Sequence, residues 1–247
     1  MKLWFEEWFE SEEYLTVYKH RNDEEAEILI SLVLANVQLL PGAKALDLGC
    51  GAGRHALLLA SRGFEVTGVD QSSKLLSVAE DDAKKNGLQT RFIKADIRTV
   101  PFLESFDLIL NVFTSFGYFE DDEDNFAVFA NVSKLLSENG VFVFDFFNAE
   151  HVKNNLIPFS SEVIDDLVVE QTRKISGMNV VKEIILLKNG SSKNFRESVR
   201  LYSKTDLVSA LETNNFSVET IFGSYSGEPF DERSSSRLIL LCKKKKL

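Results

Sequence analysis

Cysteine is nearly absent: Cys50 and Cys242 are the two in a chain of 247 residues. Two thiols cannot build a disulfide framework, and a reduced, cytoplasmic setting is expected. A chain of this length buries enough surface to be stable without one. Histidine is as scarce. His20, His55 and His151 are scattered, so the pattern shows neither a metal cluster nor a nucleophilic triad, and no metal is expected. No apolar run reaches the roughly 18 residues of a spanning helix, and the acidic, aromatic N-terminus does not suit a signal peptide. Basic residues are in deficit, 28 Lys and Arg against 38 Asp and Glu, for a formal net charge of −10. Phosphate neutralisation needs a basic surface, so no nucleic-acid partner is expected. What is abundant is Phe, with 20 residues against five Tyr and two Trp. A structural core accounts for most of them.

Strand and helix patterns alternate through the first 146 residues. An apolar helical pattern over 26–37 ends at Leu40-Pro41-Gly42. Short apolar segments at 44–48, 64–70, 90–95, 106–111 and 141–146 read as strands. Between them, Ser72 to Asn86 reads as a helix with a Ser cap and an Asn-Gly stop, and Asp121 to Leu136 as one with acids at its N-terminus. Such alternation implies right-handed β-α-β units and a parallel sheet. The texture then changes. Segments near 162–173, 178–188 and 193–202 lack a helix between them and read as an antiparallel meander. A helix over 205–214 and two strands, 216–222 and 237–242, close the chain. The expected divisions are a helical lid over 1–40, an α/β core over 41–150, a β-meander insert over 151–203, and a C-terminal completion of the core sheet over 204–247.

Gly49-Cys50-Gly51-Ala52-Gly53 joins the first strand directly to an apolar helix, which His55 helps to open. Glycines let a ligand approach bare backbone at a helix N-terminus. Two acids follow at matching places: Asp70 ends the second strand and Asp96 the third. With Asp47 before the turn, all three converge on the crevice beyond the strand ends. An acid after the second strand is placed to accept hydrogen bonds from ribose hydroxyls. The dinucleotide fingerprint G-x-G-x-x-G needs a third small residue where this chain has Arg54, which counts against a dehydrogenase.

The segment Leu46-Asp47-Leu48-Gly49-Cys50-Gly51-Ala52-Gly53-Arg54-His55 resembles motif I of class I S-adenosylmethionine methyltransferases. Val66-Thr67-Gly68-Val69-Asp70-Gln71-Ser72 resembles their second motif, and Phe92-Ile93-Lys94-Ala95-Asp96-Ile97 their third. The resemblance is strong over 42–147. It implies an α/β, doubly wound, mostly parallel seven-stranded sheet with the antiparallel insert, and S-adenosylmethionine as cofactor. It further implies that Gly49, Gly51 and Gly53 line the methionyl and ribose part and that Asp70 binds the ribose, with Gln71 beside it. Asp96 and Ile97 would face the adenine, and Asn111 and Val112 the methionyl portion. Asp47 would cap the turn or act near the cofactor through water. On the lid, Tyr14, Tyr18 and Arg21 would reach the methionyl carboxylate, with ordinary lid packing as the other reading.

The loop Asn111-Val112-Phe113-Thr114-Ser115-Phe116-Gly117-Tyr118-Phe119 leaves the fourth strand, and it resembles the corresponding loop of small-molecule N-methyltransferases. Phe116 and Tyr118 are substrate candidates, and Tyr118 is the orienting or proton-accepting candidate. Phe113 and Phe119 read as core. Tyr202, Tyr225 and Arg237 are further substrate candidates, against strand packing and a salt bridge. The expected reaction is methyl transfer to a small-molecule N, O or C nucleophile. A non-catalytic cofactor binder and a nicotinamide-dependent oxidoreductase stay as alternatives. Acids crowd 1–27 and 120–124, which flank the expected site. This raises a mildly negative entrance for a cationic or amine-bearing ligand, beside the plainer reading of solvated helix ends.

Overall fold

The computed structural model describes residues 3–19, 23–101 and 104–245. Three helices come first: α1 (Trp4–Phe9), α2 (Glu13–Val17) and α3 (Asp23–Asn36). The core alternates β1 (Lys44–Leu48), α4 (Arg54–Ser61), β2 (Glu65–Asp70), α5 (Ser73–Lys85), β3 (Thr90–Lys94), β4 (Phe106–Asn111), α6 (Asp122–Leu135) and β5 (Leu136–Phe147). The Ser72 side chain caps α5 by accepting from Leu75 N at 3.1 Å, and Gly87 at φ +65° follows its end. A short helix α7 (Ala149–Asn155), capped by Asn148, was not expected. Then come β6 (Phe159–Ile164), β7 (Leu167–Ser176), β8 (Asn179–Lys188), β9 (Ser191–Arg200), α8 (Lys204–Thr213), β10 (Phe216–Phe222) and β11 (Arg237–Lys244).

The main sheet has the order β10-β11-β5-β4-β1-β2-β3. The pairs from β5 to β3 are parallel, and β11 runs antiparallel to both its neighbours. The fold is therefore the α/β doubly wound, mostly parallel seven-stranded class, with a separate four-stranded antiparallel sheet. The chain progresses from β1 to β3 in one direction and from β4 onward in the other. That reversal opens a crevice at the carboxyl ends of β1 and β4.

Both faces of the sheet are buried, and the strand period of two sorts the side chains. On β5, Phe142, Phe144 and Phe146 enter one core layer, with Phe116, Phe129 and Phe216. Val141 and Val143 enter the other, with Leu29, Ile30, Leu59 and Leu110. The Phe excess is thus chiefly one layer of this core.

The meander differs from expectation. The single segment expected at 162–173 is two strands, broken where Asp165 takes φ +57°. An Asp tolerates that left-handed turn conformation. Asn139-Gly140 lies inside β5 where its register on β4 shifts. The insert also binds the lid. Trp8, Val17 and Tyr18 form a third cluster with Ile164, Leu167, Val169, Ile184 and Leu186. Among the described residues no helix is long and apolar enough to cross a membrane.

Candidate active site

The turn after β1 is built by main-chain bonds. Gly49 N and Cys50 N both donate to the Val69 carbonyl, at 2.8 and 3.0 Å, which ties the turn to the end of β2. Its glycines do different work. A Cβ on Gly49 would lie 2.6 Å from Ser115 Cβ, and one on Gly53 would lie 2.8 Å from Ala79 Cβ. Those two positions allow the exit loop of β4 and helix α5 to pack closely. Gly51, at φ +54°, has only Leu75 Cδ1 near, at 3.9 Å, and its bare backbone faces open space.

That space is a cavity of about 250 Å³ at the β1–β4 crevice, roofed by α1 and α2. Asp70 lines it, 8% exposed. Its Oδ2 accepts from Gly51 N and its Oδ1 from Ser72 N, each at 2.8 Å. Burial pushes its pKa up, and these N–H bonds oppose the rise. An ionised carboxylate offers about four acceptor positions, so each oxygen keeps one for a ligand hydroxyl. Leu75, Ile97 and Phe119 supply apolar wall beside it. His55 also lines the cavity; burial and Arg54 push its pKa down to about 3, so it is a neutral imidazole at pH 7.

Of the residues singled out from sequence, Tyr14, Tyr18, Gly49, Gly51, Asp70, Gln71, Ile97, Val112, Phe116 and Tyr118 line this cavity. Arg21 lies outside the described residues. Gly53 and Asp47 lie behind the wall. Asp96, next to the lining residue Ile97, accepts from Arg98 Nη2 at 2.6 Å and Nε at 3.0 Å. Asn111 is fully buried and ties the strand ends together, donating to the Leu48 and Ser115 carbonyls at 2.9 and 3.1 Å. Tyr202 is a core residue bonded to Asp122 at 2.6 Å. Phe113, expected in the core, lines the cavity together with Phe116, which is the more buried of the two. Phe116 is 2% exposed and stacks on Phe129, whereas Phe113 is half-buried.

A second cavity of about 240 Å³ shares Phe9, Tyr14, Phe113 and Tyr118 with the first. It continues to Arg237 and to the inner face of the insert. Here a residue that sequence reasoning missed governs the geometry. Asp145 on β5 is fully buried. Its carboxylate accepts from Phe113 N at 2.8 Å, Tyr225 Oη at 2.9 Å, and Arg237 Nε and Nη2, both at 2.9 Å. Arg237 also donates to Thr114 Oγ1 at 3.0 Å. Phe113 and Thr114 sit at φ +59° and +64°. Left-handed conformations are costly for bulky and β-branched residues and persist only where neighbours over-determine them. Tyr225 therefore acts on the turn through Asp145, and Arg237 both through Asp145 and directly at Thr114. The available signal was an acid inside the apolar run Val141-Phe142-Val143-Phe144-Asp145-Phe146, since a buried carboxylate demands partners.

The lid is latched to the insert by a second buried acid. Glu197 on β9 accepts from Trp8 Nε1 at 2.8 Å and from the Tyr18 hydroxyl, and pairs with Lys182 at 2.8 Å. Burial alone would raise its pKa; Lys182, Tyr18 and Trp8 hold it below the usual carboxylate range. The Tyr18 hydroxyl is thus directed at the insert. Four acids of the acid-rich segments are held in ion pairs. Asp122 pairs with Arg200, Asp124 with Arg98, Glu13 with Lys193 and Glu12 with Lys74.

Asp47 is 1% exposed, and its Oδ2 has no hydrogen-bond partner among the described residues. Burial, then the charge of Asp70, pushes its pKa up to about 7. The fold therefore favours the protonated carboxyl. The stability tied to that proton is complete below about pH 4 and is lost as pH rises through about 7. Asp47→Asn keeps the neutral form at every pH. Its melting temperature is expected to match wild type near pH 4 and to exceed it by several degrees at pH 8.5, read by scanning calorimetry of the ligand-free protein.

A glycine turn at the switch point of a doubly wound sheet, with a carboxylate ending β2, defines a nucleoside-binding α/β protein. Comparison with known proteins narrows the class. Residues 45–140 match the family model described as a methyltransferase domain. A protein named as a methyltransferase from Geobacillus sp. (strain WCH70) is 31% identical over 49% of this chain and 51% of its own length. The chain spans about half the length of the curated relatives it matches first. A cypemycin N-terminal methyltransferase from a Streptomyces species is 23% identical over 82% of this chain and 84% of its own. The crystal structure of an S-adenosylmethionine-dependent methyltransferase from Clostridium acetobutylicum ATCC 824 superposes with a TM-score of 0.81 at 22% identity, covering 94% of this chain and 96% of that one. Residues 45–140 thus match a methyltransferase domain, and the fold is the one that this S-adenosylmethionine-dependent methyltransferase structure shows.

Proposed function

We propose that the protein transfers a methyl group from S-adenosylmethionine to a small-molecule acceptor, with the donor in the first cavity and the acceptor in the second. The observation that carries this reading is the pair of adjoining cavities sharing a wall of Phe9, Tyr14, Phe113 and Tyr118. S-adenosylmethionine supplies an activated methyl on a sulfonium. The ligand fits the residues present: Gly51 presents bare backbone, Asp70 keeps two acceptor positions for the ribose hydroxyls, and Leu75 and Ile97 offer an apolar face. The chain's remaining work is to align the two reactants and keep water out. Aromatic faces in the shared wall suit a neighbouring cation. Lid (1–40) and insert (151–203) close the acceptor side, joined at Glu197.

Tyr118 stands between the cavities, edge-on to Trp4 at a ring-centroid distance of 5.0 Å. With Tyr14 it supplies the hydroxyls of this wall, and it is our candidate to orient the acceptor or take its proton. Tyr118→Phe is expected to lower kcat about 10- to 100-fold with little change in S-adenosylhomocysteine affinity, checked by steady-state kinetics and calorimetry. The donor assignment is tested by thermal shift. S-adenosylhomocysteine is expected to raise the melting temperature and NADH to leave it unchanged; the reverse would make the protein an oxidoreductase.

A further inference from the structure

The wall of the second cavity contains a row that the sheet register dictates. Arg173 on β7 pairs with Lys182 on β8, and Lys182 with Glu197 on β9. Directly paired neighbours in a sheet share a face, and all three line the cavity. Arg237 lines it from β11. Two of the three cations are neutralised: Lys182 by Glu197 at 2.8 Å and Arg237 by Asp145 at 2.9 Å. Arg173 is not. Its Nη atoms donate to Ser160 Oγ at 3.0 Å, to the Ile157 carbonyl at 3.5 Å and to Gln171 Oε1. All of these acceptors are neutral. No acid among the described residues pairs with it, and its Nε makes no bond there.

A second observation agrees. Trp4 lines the same cavity, and its buried indole N–H has no acceptor among the described residues. A buried donor left unpaired in a native fold calls for a partner, and a half-buried guanidinium bonded only to neutral acceptors keeps its charge for an anion. Apart from Thr114, the rest of the wall is aromatic or aliphatic, including Phe9, Phe113, Phe147 and Val199.

We propose that the methyl acceptor is a small aromatic or apolar monocarboxylate, its carboxylate held by the Arg173 fork and its nucleophile turned toward Tyr118 and Phe113. This rests on the methyltransferase reading. One uncompensated positive charge matches one negative charge. A phosphate monoester carries about −1.5 to −2 at pH 7 and would leave excess negative charge near Glu197 and Asp145. A planar carboxylate also matches the guanidinium bidentately. The positive excess is the opposite of the negative entrance raised by the acid-rich segments.

The test is calorimetric titration of the protein saturated with S-adenosylhomocysteine. The probes are 4-aminobenzoate, 4-hydroxybenzoate and indole-3-acetate, each beside its neutral carboxamide. At least one acid is expected to bind about tenfold or more tightly than its amide. Arg173→Met is expected to abolish that preference with S-adenosylhomocysteine affinity unchanged, and Arg173→Lys to keep part of it. Trp4→Phe is expected to weaken the same acid by a smaller factor. Acids and amides binding alike, no probe binding to the loaded protein, or an unchanged Arg173→Met variant would overturn the inference. If S-adenosylhomocysteine itself does not bind, the methyltransferase reading fails first, and the two failures are thereby distinguished.

Discussion

Asp70→Ala is expected to lower the affinity for S-adenosylhomocysteine about 100-fold, measured by titration calorimetry. The argument is local. Asp70 is the acid exposed to the first cavity that already holds the glycine turn, through Gly51 N and Ser72 N. Each hydrogen bond from a ribose hydroxyl to a carboxylate contributes about 1.5–3 kcal/mol. Losing two is worth about 3 kcal/mol at the low end, and each 1.4 kcal/mol is about tenfold. The variant also frees two N–H donors, so Asp70→Asn is the gentler control. It keeps an acceptor and is expected to lose affinity by a smaller factor. Undiminished binding by Asp70→Ala would place the ribose elsewhere.

Asp145→Ala is expected to be the most destabilising of the single substitutions considered. It removes one carboxylate and strands three donors at once: Phe113 N, Tyr225 Oη and the Arg237 guanidinium. Breaking a buried ion pair by deleting one partner typically costs about 3–5 kcal/mol. For a chain of this size that lowers the melting temperature by about 6–20 °C. It also releases the left-handed turn at Phe113-Thr114, which forms wall in both cavities. Arg237→Leu on the same background removes the stranded charge. The double variant is therefore expected to recover part of the loss, which a thermal double-mutant cycle reads directly. Additive effects would show that the pair does not act as a unit.

Much of the frame was legible in the sequence because it rests on short-range rules. Period and punctuation located β1 to β4, α5, α6, α8 and the start of β10 within a few residues. The glycine turn and Asp70 stood out because backbone approach and a terminal carboxylate need those residue types at that spacing. What was not legible depends on which residues meet across the fold. Asp145, Arg237 and Tyr225 are up to 92 residues apart; Tyr225 and Arg237 read as separate substrate candidates, against strand packing and a salt bridge, and Asp145 drew no reading. Only the antiparallel entry of β11 beside β5 joins them. Glu197 and Tyr18 are 179 residues apart, and their bond is set by the insert folding back on the lid. The charge balance misled for the same reason. A sum over the chain does not show that several acids near the crevice pair at the surface while Arg173, bonded to neutral acceptors, lines the second cavity. Phe113 and Phe116 differ by three positions in one loop, and no periodicity separates a residue in a left-handed turn from one in the core.

The most direct measurement is a crystal structure of the protein with S-adenosylhomocysteine. The account predicts the ribose hydroxyls on Asp70, the adenine against Leu75 and Ile97, and the sulfur at the wall of Phe113 and Tyr118, facing the second cavity. A ligand bound with its ribose away from Asp70, or with its sulfur turned from the second cavity, would contradict it.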